Sequence, residues 1–119
     1  MKKFFALTLV VLSGVVPASS AHAATSGQRN ALHSAQAYIA MAGFSKAGLT
    51  KQLVYERFSK SEARWAVNHV RVSWNAEAVQ SARAYLKMTS FSREGLITQL
   101  EYEGFTHSQA VYGVRKAYR

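Results

Sequence analysis

The chain contains no cysteine among its 119 residues, and its one proline is Pro17. The absence of cysteine excludes disulfide bonds, thiol catalysis and thiolate metal sites. It also excludes lipid anchoring through cysteine, because Val15 stands after Leu12-Ser13-Gly14, where a lipoprotein would carry its lipidated cysteine. Acidic residues are scarce as well. Six Asp and Glu residues stand against fifteen lysines and arginines, so the net charge is +9.

The N-terminal 23 residues have the three-part layout of a secretory signal peptide. A positive start at residues 1–3 precedes an apolar run at residues 4–16, and Ala21 and Ala23 supply small residues at the positions that a signal peptidase reads. We therefore predict cleavage after Ala23. The apolar run is too short for a membrane anchor, which needs about 20 residues. The mature protein is expected in the periplasm, outside the cell or on the cell surface.

Cleavage would leave 96 residues with thirteen basic and six acidic side chains, a net charge of about +7. Such a charge favours polyanionic partners. Nucleic acid, anionic lipid head groups, wall polymers and an acidic protein face all remain open. Export disfavours conventional gene-regulatory DNA binding, because it carries the protein away from the chromosome.

The mature part is an internal duplication. Residues 31–72 align with residues 78–119 at a constant offset of 47 without a gap, and 18 of the 42 pairs are identical. A repeat of this length indicates two structural units that pack against each other, because each unit alone is too small to bury much surface. We assign copy one to residues 24–73 and copy two to residues 74–119.

Each copy is predicted to contain three short helices. Apolar residues at helical spacing place the first helix of copy one from Ala31 to Ala42. In copy two, Asn75 is the predicted cap of this helix, and Trp74 and Val79 have the positions of a hydrophobic staple.

The other helices have serine and threonine caps. Ser45 and Ser92 are the predicted caps of the second helices, and Ser59 and Thr106 begin capping boxes for the third helices. Glycine is common just after the end of a helix, and Gly104 has this position after the second helix of copy two. The equivalent residue of copy one is Arg57. No segment has strand alternation, so we predict an all-α fold of two tandem three-helix, helix-turn-helix-like repeats.

The repeated residues resemble the Ltp-like family of host cell surface-exposed lipoproteins, which carry tandem helix-turn-helix repeats. The resemblance rests on Trp74-Asn75 and on three segments of copy two, which are Ala82–Met88, Phe91–Leu96 and Gln99–Phe105. That family includes prophage-encoded superinfection-exclusion proteins. These lie outside the membrane and stop an incoming phage from injecting its DNA by engaging the injection machinery. The resemblance implies the same fold and role here.

The chain departs from the family pattern in two respects. It lacks the lipid-bearing cysteine, which implies a protein that is free outside the membrane unless its charge holds it to a surface. Copy one has Val54 and Arg57 where copy two has Glu101 and Gly104. Copy two is therefore the better candidate for a recognition face made of acidic residues.

Nine side chains are candidate contacts for a protein partner. Gln52 and Glu56 lie one helical turn apart beside Tyr55, and copy two repeats the arrangement. The alternative is a pair that only stabilises the helix. Trp65 and Tyr112 occupy matching positions on the third helices, where they either anchor a partner or cover the junction between the copies. The full set is Gln52, Tyr55, Glu56, Trp65, Gln99, Glu101, Tyr102, Glu103 and Tyr112.

No pattern for catalysis accompanies these residues. His33, His69 and His107 match no metal-ligand spacing and do not correspond between the copies. The sequence contains no nucleophile elbow and no phosphate-binding glycine loop. We therefore expect no enzyme activity, no catalytic or metal site, no cofactor and no small-molecule substrate.

Two functions remain after these exclusions. The first is superinfection exclusion, in which the exported protein binds a phage injection component and blocks DNA entry. The second is a basic envelope-binding module that holds wall polymer, anionic lipid or extracellular DNA.

Overall fold

The computed structural model describes residues 23–118, which form six α-helices and no strand. The all-α prediction with three helices in each copy is confirmed. No helix in this range has both the length and the apolar character that crossing a membrane requires. The predicted signal peptide, apart from Ala23, lies outside the described residues. The helices are α1 (Ser26–Met41), α2 (Lys46–Tyr55), α3 (Lys60–His69), α4 (Trp74–Met88), α5 (Arg93–Tyr102) and α6 (His107–Ala117).

Helix α1 begins five residues before the predicted start at Ala31. Thr25 is its N-cap, and its hydroxyl accepts a hydrogen bond from the backbone N–H of Gln28 at 3.0 Å. The Gln28 side chain accepts in return from the Thr25 N–H at 2.8 Å. The predicted start was wrong because apolar spacing begins only at Ala31, whereas the reciprocal capping bonds set the first turn.

The predicted cap of α4 was also wrong. Ser73 is the N-cap, and its hydroxyl accepts from the N–H of Ala76 at 3.1 Å. Asn75 therefore lies inside the first turn, and Trp74 is the first helical residue. The predicted staple with Val79 does not apply, because Trp74 packs against the hydrophobic core of copy one instead.

The four remaining predicted caps are confirmed. Ser45 and Ser92 each accept a hydrogen bond from the backbone of the third helical residue. Ser59 and Thr106 begin complete capping boxes on α3 and α6. Each cap satisfies a backbone donor that the helix itself leaves unpaired, which is worth about 1 kcal/mol.

Each copy has its own small core. Leu49 and Leu53 of α2 are fully buried against alanines of α1 and α3, and Leu96 and Leu100 repeat this arrangement in copy two. Burial of one leucine side chain stabilises the fold by about 1.5–3 kcal/mol. The small neighbouring side chains allow the three helices of a copy to pack closely.

The seam between the copies is polar at its centre. The loop between α1 and α2 lies on α4, where the backbone N–H of Phe44 donates to the carboxylate of Glu77 at 2.9 Å. Ser81 donates from its hydroxyl to the carbonyl of Gly43 at 3.1 Å. Both side chains on α4 are buried. The backbone of the copy-one loop is therefore held on α4 by one hydrogen bond that it donates and one that it accepts.

Gly104 shows why the two copies differ after their second helix. It has a φ of +105°, and a Cβ built there would lie 2.7 Å from the Ser45 hydroxyl and 2.9 Å from the Ala47 Cβ. Glycine is therefore required at this position for its backbone conformation and for the approach of copy one. Arg57 adopts the same left-handed region with a φ of 80°, but it is exposed. The turn is thus retained without glycine.

Candidate partner-binding surfaces

The predicted glutamine–glutamate pairs form the same hydrogen-bond network in both copies. The amide of Gln52 donates to the Tyr38 hydroxyl at 3.2 Å and to the Glu56 carboxylate at 3.3 Å. In copy two, Gln99 makes the equivalent bonds to Tyr85 at 3.2 Å and to Glu103 at 3.4 Å. Each glutamine therefore ties the second helix of its copy to the first helix. This geometry favours the stabilising interpretation for both glutamines.

Tyr55 and Tyr102 lie beside these networks but make none of their hydrogen bonds. Tyr55 is 81% exposed and Tyr102 is 86% exposed, the highest values among the large hydrophobic side chains of residues 23–118. The two residues occupy the same position in the repeat. Exposure of a large aromatic side chain at equivalent sites is typical of interface residues, because tyrosine offers apolar area together with a hydroxyl. Each copy thus exposes one tyrosine at the same position of the repeat.

The glutamates of the predicted strip lie in different surroundings. Glu56 is exposed, whereas Glu103 is half-buried near the seam, and this burial raises the pKa of its carboxyl. Glu101 lies 2.5 Å from Nδ1 of His107, which is the one close contact between a carboxylate and a basic side chain within residues 23–118. Tyr102 therefore stands between a glutamate paired with histidine and a glutamate that borders copy one.

Trp65 and Tyr112, at equivalent positions of α3 and α6, have different neighbours. Trp65 is half-buried against the core of copy one and stacks on His69, with ring centroids 4.0 Å apart and planes 15° apart. Tyr112 is half-buried too, but the guanidinium of Arg115 and the ammonium of Lys116 lie 5.3 Å and 5.7 Å from its ring centroid. Among the described residues, basic side chains lie over the aromatic ring at this position in copy two only.

Tyr112 lies in a surface groove between α4 and α6 with a volume of about 690 Å³. Arg83, Lys87 and Lys116 contribute the charge of this groove. The grouping of Arg83 and Lys87 with Tyr112 was not predicted from the sequence. The signal was present in part, because Arg83 and Lys87 lie one turn apart on α4. Which face of α6 they would meet depends on how the two helices pack.

Glu77 lies at the seam between the copies, and the sequence did not predict a role for it there. Its side chain is only 6% exposed although it is a carboxylic acid. Burial raises the pKa of the Glu77 carboxyl, and the hydrogen bond from the Phe44 backbone offsets part of this effect. The equivalent position of copy one is Asn30, which is exposed. At this position of the repeat, a carboxyl group therefore occurs only in copy two, whose first helix receives the loop of copy one.

The histidines and carboxylates of the described residues do not form a cluster. Within residues 23–118, no three His, Cys, Asp or Glu side chains are grouped so that they could hold a metal ion. The chemistry that the surfaces described above offer is hydrogen bonding, aromatic contact and charge.

Comparison with known proteins adds a family and a related structure. The family model described as host cell surface-exposed lipoprotein matches residues 27–70 and again residues 73–116, one match in each copy. Among solved structures, the chain is similar to Ltp, a superinfection exclusion protein from the Streptococcus thermophilus temperate phage TP-J34. The TM-score is 0.74 at 27% sequence identity, and the similarity covers 78% of this chain and 97% of that one. Comparison with curated proteins returns no match.

Proposed function

The chain belongs to the family of host cell surface-exposed lipoproteins, and from this membership we propose that it excludes superinfecting phages at the cell envelope. In this proposal the exported protein binds a component of the phage injection apparatus and blocks DNA entry. The observation that carries the proposal is the similarity to Ltp, which covers 78% of this chain and 97% of that one.

Contact with the injection apparatus is assigned to the exposed tyrosines. Tyr55 and Tyr102 are not needed for the core, and they repeat at one position of each copy. The glutamines one turn before them hold the helices in place, so the tyrosines are presented on a firm support. Two equivalent contacts on one chain would bind a partner more tightly than either contact alone.

The basic surface would hold the protein at the envelope in the absence of a cysteine-linked lipid. The chain has no cysteine, and in residues 24–119 basic side chains outnumber acidic ones by thirteen to six. Such a surface is attracted to anionic wall polymers and lipid head groups. In this proposal, charge holds the exclusion protein where the phage genome enters.

The test is plaque formation on a susceptible host that expresses the full chain, beside a host that expresses residues 24–119 alone. Phage adsorption and the entry of labelled phage DNA are followed in the same cultures. We expect plating to fall only with the full chain, with normal adsorption and failed DNA entry. Equal plating of a broad phage panel on both hosts, at equal protein level, would contradict the proposal.

The excess of basic charge also favours a second candidate, an envelope-binding module without a role in exclusion. This module would hold wall polymer, anionic lipid or extracellular DNA. Exposed charge interactions are screened within about 10 Å at 0.1 M salt. A module that binds by charge alone should therefore leave envelope material between low and moderate salt. Retention at high salt would exclude the purely electrostatic version.

A further inference from the structure

The groove between α4 and α6 of copy two combines an apolar floor with a basic rim. Ala76, Val79 and Ala84 line it from α4, and the Tyr112 ring lines it from α6. From Ala76 to Lys87, the wall formed by α4 is about 16 Å long, given a rise of about 1.5 Å per residue. We refer to this feature as the copy-two groove.

The charge of the copy-two groove has one sign. Arg83, Lys87 and Lys116 line it and are exposed, and among the described residues no carboxylate lines it. Within residues 23–118 the one close contact between a carboxylate and a basic side chain joins Glu101 to His107, so none of the three cations has a carboxylate within ion-pair distance there. Unpaired cations around a concave surface raise the local concentration of anionic groups.

Close packing of the helices brings Tyr112 and Lys116 beside α4. Gly113 lies directly against Ala78, and a Cβ built on this glycine would be 2.7 Å from the Ala78 carbonyl carbon. The approach positions the flanking residues of α6 along one side of α4. Lys116 also lies over the Tyr112 ring, with its ammonium 5.7 Å from the ring centroid, so the charge is held near the apolar floor.

Copy one provides an internal comparison, because the three positions that carry the charge of the groove have no lysine or arginine there. The three cations Arg83, Lys87 and Lys116 correspond to Gln36, Ala40 and His69 at the constant offset of 47. His69 stacks on Trp65, which replaces Tyr112. At these three positions only copy two carries lysine or arginine, whereas copy one has a single arginine, Arg29, at the position of Ala76.

We propose that the copy-two groove docks an acidic amphipathic helix of another protein. The apolar floor requires a ligand with apolar side chains, which a wall polymer or a nucleic-acid backbone does not offer to a concave surface. A flat membrane surface cannot enter a groove. Arg83 and Lys87 lie one helical turn apart, which matches the spacing of carboxylates at positions i and i+4 of a bound helix.

This assignment is independent of superinfection exclusion. It concerns a surface on α4 and α6, whereas the tyrosines proposed to contact the phage lie at the ends of α2 and α5. A protein that fails to exclude phages can still bind an acidic helix through the groove. The two proposals are therefore tested separately.

The test uses the mature protein and a labelled synthetic peptide of about 14 residues, long enough for a helix that spans the groove. Glutamate and leucine are placed on the peptide so that they form two faces. A peptide of the same composition in scrambled order controls for charge. Binding is measured by fluorescence anisotropy, and the site is mapped from amide chemical shifts.

Two triple variants separate the groove from the overall charge. The first places the copy-one residues in the groove (Arg83→Gln, Lys87→Ala and Lys116→His). The second removes as much charge from a smaller cavity of about 350 Å³ on copy one, through Lys51→Ala, Lys60→Ala and Arg64→Gln. All six side chains are exposed, so both variants should unfold at the wild-type urea concentration.

We expect the groove variant to bind the amphipathic peptide at least about tenfold more weakly, because three charge contacts beside apolar surface are lost together. The copy-one variant should stay within about twofold of wild type, and the scrambled peptide should bind weakly. Shifted amides should cluster at Val79 and Tyr112.

Three results would overturn the proposal. Equal weakening of both variants would mean that binding follows net charge alone. Binding through the groove of a DNA oligonucleotide or a phosphatidylglycerol vesicle, as tight as that of the amphipathic peptide, would mean a different occupant. Absence of measurable binding by the wild-type protein at low salt would mean that the groove is not a docking site for an acidic helix.

Discussion

The Ser45 hydroxyl donates a hydrogen bond to the backbone carbonyl of Glu103 at 2.6 Å and thereby joins the two copies. The same hydroxyl accepts from the N–H of Gly48 at 2.8 Å, so it caps α2 at the same time. The last carbonyls of a helix have no partner within the helix. The carbonyl-rich end of α5 therefore meets the N-terminal end of α2, and this arrangement also aligns opposite ends of the two helix dipoles.

Ser45→Ala should destabilise the protein more than Ser92→Ala. Both changes remove an N-cap, which contributes about 1 kcal/mol. Ser45→Ala also leaves the Glu103 carbonyl without its partner from copy one, at a further cost of about 1–3 kcal/mol. Free energies of unfolding from urea titrations measure the difference. Equal losses for the two variants would show that the bond across the seam adds nothing.

Gly104→Ala should cost about 2–4 kcal/mol, because it adds a Cβ in close contact with Ser45 and Ala47 and strains a backbone with φ +105°. Arg57→Gly is the matched change in copy one. It should be neutral or stabilise the protein by up to about 1 kcal/mol, because it relieves a positive φ at an open site. Thermal and urea unfolding compare the two. A tolerated Gly104→Ala would contradict the close approach of the copies at this residue.

Glu77→Gln should change how stability depends on pH. Burial raises the pKa of the Glu77 carboxyl above its ordinary value of 4.5. The folded state therefore favours the protonated form, and this contribution is present below pH 4.5 and is lost as the pH rises through the raised pKa. Glutamine can still accept from the Phe44 N–H. Relative to wild type, the variant should become more stable as the pH increases from about 4 to 7.

The control for Glu77 is Glu94→Gln, which changes an exposed glutamate in the first turn of α5. Glu103, whose pKa is also raised by burial, is present in both variants and does not affect the comparison. Urea midpoints are measured at each pH. If both variants follow wild type in parallel across this range, Glu77 does not carry the pH dependence.

Replacing Tyr55 and Tyr102 by serine should abolish exclusion with little change in stability. Substitution of such exposed side chains changes the free energy of unfolding by less than about 0.5 kcal/mol. Met41→Ser with Met88→Ser is the matched control, because these methionines are also exposed at equivalent positions of both copies. Plating efficiency is measured at equal protein level. Full exclusion by the tyrosine variant would show that Tyr55 and Tyr102 are not needed for contact with the phage.

Gln52→Ala and Gln99→Ala should each lower the free energy of unfolding by about 1 kcal/mol, since each glutamine links its helix to a tyrosine hydroxyl. Exclusion should persist where the variant proteins remain folded. Unfolding curves and plating of the same variants check both statements. Loss of exclusion at unchanged stability would instead indicate that the glutamines contact the partner.

Much of the local structure follows from the sequence alone. The caps at Ser45, Ser59, Ser92 and Thr106 were predicted because a hydroxyl and its backbone partner lie within one turn of each other along the chain. The resemblance to the Ltp-like family was recognised from residues repeated at a fixed offset, and the family match and the solved structure confirm it. The predicted starts of α1 and α4 were wrong. Apolar spacing indicates which face of a helix is buried, but the capping residue can lie several residues before the first buried one.

The sequence by itself determined the helical class, the duplication, the basic charge and the absence of cysteine, since all of these depend on composition or on neighbours within a few turns. Tertiary structure alone decided that Ser45 reaches Glu103 and that Glu77 is buried. It also decided that Arg83 and Lys87 share a groove with Tyr112. Each of these contacts joins residues far apart in the chain, and it depends on distances between packed helices that small residues such as Gly104 and Gly113 set.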